Sequence, residues 1–189
     1  MTEQIKMKKT TVNIVGVVVI IAIIASYFMF FSSRGVTGNV EETGNVGTSI
    51  GDFAPSLTFE TIDGEKLTIN DLKGKRVILQ GFASWCPSCK IQAQEIKRAL
   101  PSLDNVEVIS LDIWEGETAD DVRRNFMSNA MDNDVPDNWE FTAYEPDFVT
   151  TYQLYSMDAT FILNENGVVI FKDPDITRSE KFLQVLGGN

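Results

Sequence analysis

Cys86 and Cys89 are the two cysteines of a 189-residue chain, with Pro87 and Ser88 between them. Thiols at this spacing can act in turn, one attacking a disulfide and the other resolving the mixed disulfide that forms. The apolar run Val77 to Phe82 precedes them and a helical pattern follows, so the pair falls where a buried strand hands over to a helix. Unpaired N–H groups and the positive end of the macrodipole would stabilise a thiolate there, which makes Cys86 the expected nucleophile. Cys89 lies one turn further on the same face and is the expected resolving thiol.

Other uses of two cysteines fit less well. Zinc needs four ligands, and a chain without histidine supplies half a set, so no metal is expected. A structural disulfide across so short a loop removes little chain entropy. Incidental buried cysteines would not explain the strand before and the helix after. The missing histidine also excludes Ser-His and Cys-His catalysis and c-type haem attachment, where Lys90 follows Cys89. No cofactor is expected.

The elements that must hold this pair can be read on either side. Leu57 to Glu60 and Lys66 to Ile69 flank Asp63-Gly64, a hairpin signal. Pro87 suits the first turn of a helix running to Leu100, with Pro101 beyond it. Val106 to Ile113 reads as a second buried strand and Thr118 to Ala130 as a helix with Asp120 and Asp121 in its first turn. A short helix is expected in Phe148 to Leu154, a second hairpin around Asn164 to Gly167, and a closing helix over Ser179 to Leu186. This order predicts an α/β domain whose mixed sheet is flanked by helices.

Apolar residues make up 43% of the chain and aromatic residues 10%, enough for one domain with a core and some extra. The extra lies first. Val12 to Phe31 carries no charge and is long enough to cross a bilayer, and it is longer than the apolar part of a cleaved signal peptide. Lys6, Lys8 and Lys9 precede it, which predicts a cytoplasmic tail (residues 1–11), a transmembrane anchor (12–31) and an extracytoplasmic remainder. Residues 32–51 are rich in Gly, Ser, Thr and Asn, and contain the duplication TGNVEETGNVG, which reads as a flexible linker before a domain over 52–189. The net charge is −11, and the acidic residues lie almost wholly after the apolar run, so a nucleic-acid partner is not expected.

Trp85-Cys86-Pro87-Ser88-Cys89-Lys90 after a buried strand resembles the active site of the thioredoxin superfamily. Gly51 to Pro55, the Asp63-Gly64 hairpin, Leu72 to Lys75 and Phe161 to Gly167 resemble its membrane-anchored TlpA/ResA branch, and the likeness spans about residues 51–187. The resemblance implies a thioredoxin-like fold and thiol–disulfide exchange with protein disulfides or dithiols outside the membrane, a chemistry often serving cytochrome c maturation. Reduction of protein disulfides is the expected direction, and it implies a membrane protein that supplies electrons. A DsbA-like oxidase and a non-enzymatic binding module are the alternatives. Trp85, Pro87, Ser88, Ala159 and Thr160 are the residues this likeness places around the two cysteines.

The chain departs from the family at three positions. The cis-proline expected just before Thr160 is Ala159, for which a trans bond is predicted. Gln80 stands where thioredoxins keep a buried acid, and Gln92 where ResA-like proteins keep a glutamate. Neither amide carries a proton, so water or Glu95 is the expected proton route. The peroxiredoxin signature would need proline at Leu79 and Thr or Ser at Ala83. Asp132 to Asp137 lacks calcium-loop spacing, since Pro136 replaces a ligand. The acidic stretch from Asp112 to Asp158 reads as a solvated face, and Trp114, Trp139 and Phe141 as core.

Overall fold

The computed structural model describes residues 44–187. A central five-stranded sheet has the order β5-β4-β3-β6-β7, formed by Arg76–Phe82 (β3), Val106–Asp112 (β4), Trp139–Tyr144 (β5), Thr160–Leu163 (β6) and Val169–Asp173 (β7). β3, β4 and β5 are parallel, β6 runs antiparallel to β3, and β7 runs antiparallel to β6, so the sheet is mixed. The short strands Thr58–Glu60 (β1) and Lys66–Thr68 (β2) pair as the expected hairpin, turned at Gly64 with φ +87°. A single bridge from Thr61 to Thr142 and the bond from Ile62 N–H to the Phe141 carbonyl join it to β5.

β3 is central because its side chains are buried on both faces from Val77 onward. Ile78 and Phe82 enter one apolar cluster with Ile96, Phe126 and Phe182. Val77 and Leu79 enter the other with Phe148, Tyr152 and Phe161. Alternation along one strand thus feeds two layers, and helices cover both.

Pro87–Ala99 (α1) starts where expected, and its last turn carries Lys97 and Arg98 against the helix dipole. Residues 119–130 (α2) open with a capping box between Thr118 and Asp121. The middle of that helix, Val122–Met127, is π-helical, a widening that the sequence reading did not anticipate. Pro146–Thr151 (α3) begins two residues before the expected helix, and Ser179–Leu186 (α4) matches the expected closing helix.

β5 was not expected. Its segment WEFTAY follows Pro136 and alternates only in part, and its pairing with β4 depends on contacts remote in sequence. The last part of the stretch read as a linker, residues 45–51, lies in a turn where Phe53 N–H bonds to Asn45 and Gly51 N–H to the Val169 carbonyl. The anchor expected over 12–31 falls outside the described residues, and among those described no helix is long and apolar enough to cross a membrane.

Candidate active site

The strand–helix junction is built by a tight handover. After Phe82 the chain turns at Ala83, whose carbonyl accepts from Cys86 N–H at 3.1 Å. Ser84 is held by the Glu117 carboxylate, which accepts from its N–H and from its hydroxyl, each at 2.8 Å. Cys86 then serves as N-cap of α1, its Sγ accepting from Cys89 N–H at 3.2 Å, with Pro87 in the first turn. Cys86 and Cys89 form a disulfide with Cα atoms 5.4 Å apart. Ser88 Oγ is 3.3 Å from Cys86 Sγ. Cys86 retains 3% of its surface and Cys89 none, so what little exposure the pair has belongs to the expected nucleophile.

Trp85 is 47% exposed and meets Trp114, equally exposed, edge to face at 5.0 Å. Trp114 therefore borders the cysteines, a correction to its assignment to the core; Trp139 and Phe141 are core as expected. Trp114 is positioned by its N–H, which donates to Asp112 Oδ1 at 2.9 Å.

Segment 157–160 closes the opposite side. Cys89 Sγ is 3.3 Å from the Met157 carbonyl oxygen. An Asp158 carboxylate oxygen and both sulfurs lie within 4.8 Å of one another. These are three donors, one short of a structural zinc set, and in the disulfide neither sulfur is a thiolate. Ala159 is trans, as no cis bond occurs among the described residues, and its side chain packs in the cluster of Tyr152 and Phe161. Its N–H donates to the Ser156 carbonyl and its carbonyl accepts from Gly81 N–H. Thr160 is buried and pairs with Gln80 across β3 and β6. The residues of this segment that meet the sulfurs are thus Met157 and Asp158, which the sequence reading passed over although Asp158 adjoins Ala159.

The two glutamines are structural ties. Gln80 Nε2 donates to the Cys89 carbonyl, and its Oε1 accepts from Ser110 Oγ, which in turn accepts from Trp139 Nε1. Gln92 bonds both the N–H and the carbonyl of Thr177, at 2.6 and 3.2 Å, fixing the approach to α4. Glu95 is not a proton carrier, which corrects the route expected for it. Its carboxylate accepts from Ser179 N–H at 2.9 Å and pairs with Arg98 and Arg178, and the Ser179 bond leads in holding its pKa down at about 2.

Asp112 is the opposite case. It is buried at the end of β4 with Oδ2 unpartnered, and desolvation, reinforced by Glu117 and Asp121, pushes its pKa up to about 8. The ordinary value is 3.8, so between these limits the unfolded chain has lost a proton that the folded chain keeps. Ionisation then favours unfolding, and stability falls as pH rises through this window by up to ~1.4 kcal/mol per pH unit, levelling above the folded value. Asp112→Asn is expected to remove that slope in urea unfolding measured from pH 4 to 9. An unchanged slope would assign it to other groups.

A sheet of this topology with a CXXC disulfide capping its first long helix defines a thioredoxin-like thiol–disulfide oxidoreductase. The chain belongs to the AhpC/TSA family, whose sequence model matches residues 50–172. It is 28% identical over 125 residues to the thioredoxin-like protein YneN of Bacillus subtilis, covering 66% of this chain and 71% of that one. It is 26% identical over 132 residues to the thiol-disulfide oxidoreductase ResA of Bacillus cereus, covering 65% and 68%. Among solved structures, a thioredoxin-like protein from Aeropyrum pernix superposes with a TM-score of 0.60 at 23% identity, over 70% of this chain and 88% of that one. StoA from Bacillus subtilis gives 0.54 at 21%, over 69% and 96%.

Proposed function

We propose that the chain reduces disulfides of protein substrates on the outer side of a membrane, held there by residues 12–31 with its N-terminus in the cytoplasm. Cys86 attacks the substrate disulfide as a thiolate, and Cys89 resolves the mixed disulfide. The observation that carries this is the placement of Cys86 at the N-cap of α1, where it keeps the little surface the pair exposes while Cys89 is wholly buried. Trp85, Pro87 and Ser88 frame the attacking sulfur, and Ala159 and Thr160 set the backbone opposite it. A membrane protein supplies the electrons, since the domain's two thiols hold only one pair. Peroxide chemistry finds no support at the two signature positions, where buried Leu79 and Ala83 offer no polar atom.

Equilibration of the full chain with glutathione tests the direction. A reductase is expected to settle near the potential of thioredoxin, about −270 mV. A value near −120 mV would overturn reduction in favour of thiol oxidation.

A further inference from the structure

Any CXXC exchange must move a proton, because the resolving thiol attacks as a thiolate. In this chain the three groups at which that proton would be sought are occupied otherwise. Gln80 and Gln92 are amides locked in hydrogen bonds, and Glu95 on α1 is a saturated anion bonded to the start of α4. Asp158 differs on two independent counts. Its carboxylate lies within 4.8 Å of both sulfurs, and its Oδ1 is buried with no hydrogen-bond partner. A buried carboxylate oxygen without a donor is costly, and here the missing donor is one that the site itself supplies once Cys89 carries a proton.

We propose that Asp158 is the proton relay for Cys89. This rests on the exchange reading above. In the mixed disulfide, Cys89 Sγ–H gives its proton to the Asp158 carboxylate, directly after a small side-chain rotation or through one water. The Cys89 thiolate then attacks Cys86 Sγ. The Cys86–Cys89 bond forms, the bond from Cys86 to the substrate sulfur breaks, and the substrate leaves as a thiolate that takes the proton back from Asp158. The protein dithiol is oxidised by two electrons, the substrate disulfide is reduced by two, and Asp158 ends unchanged. Adjacent placement explains why this carboxylate can do so: Met157 offers its carbonyl to the same sulfur, and Ala159 is pinned by Gly81, which fixes Asp158 between them.

The test follows the reduced full chain with glutathione disulfide, using acid quench and mass analysis to separate attack from resolution. Asp158→Asn, which keeps the shape, is expected to slow resolution by about 100-fold while attack by Cys86 changes far less, so the glutathionylated chain accumulates. Asp158→Glu is expected to recover most of the resolution rate. Resolution by Asp158→Asn at the wild-type rate would overturn the relay, and so would equal slowing of both steps without rescue by glutamate, which would mark a structural role. A wild-type chain that never forms the mixed disulfide would overturn the exchange reading itself, and the relay with it.

Discussion

Cys86→Ser is expected to reduce insulin disulfides no faster than the solution without protein, whereas Cys89→Ser should stop at a covalent complex with its substrate. The asymmetry follows from position. Cys86 caps α1, where its sulfur receives the Cys89 N–H and the helix dipole, and it holds what little surface the pair exposes. A serine hydroxyl there is not ionised and cannot attack sulfur. Cys89 is wholly buried, and attack on an external disulfide is closed to it, but it stands within bonding distance of Cys86. With Cys89→Ser, attack still occurs and nothing resolves the product. Mass analysis under non-reducing conditions reads both outcomes. Wild-type turnover by Cys86→Ser would sink the mechanism.

The second large effect is expected from Ala159→Pro, the change that would restore the family residue. The Ala159 N–H bonds to the Ser156 carbonyl at 3.2 Å, and proline has no N–H to give. The ring must also enter a position that is buried against the Tyr152–Phe161 cluster, and it restricts the backbone of Asp158 before it. A loss of roughly 3 kcal/mol is expected in urea unfolding, from the missing bond and the crowding together. Unchanged stability would show that segment 156–160 can rearrange to accept the ring.

What could be read from the sequence was local. Pro87 after a β-branched and apolar run marks a helix start, and Asp63-Gly64 and Asn164 to Gly167 mark turns, since each signal depends on backbone constraints within a few residues. Family likeness added the expectation that Ala159 and Thr160 lie against the cysteines, and the structure brings the residues just before them, Met157 and Asp158, to the sulfurs. The remainder depended on distant partners. Trp139–Tyr144 becomes a strand by pairing with β4, and Trp114 leaves the core because Asp112 and Trp85 hold it at the surface. Glu95 could be seen as an acid on α1, but its saturation comes from Arg178 and Ser179, more than eighty residues on. The burial of Asp112 is set in the same way by the sheet around it.

The amides of Gln80 and Gln92 give the redox centre an insulated mounting. Through them α1 is tied to β4, to the indole of the edge strand and to the approach of α4, and none of these ties gains or loses a charge when the solution turns acidic or alkaline. Where a carboxylic acid held these positions, each protonation would make or break a mechanical link as well as shift the electrostatics of the sulfurs. Here the two tasks are parted. These links carry no titratable group, so the pH-dependent part of the scaffold is the Asp112 carboxyl at the end of β4 and not the mounting of the sulfurs.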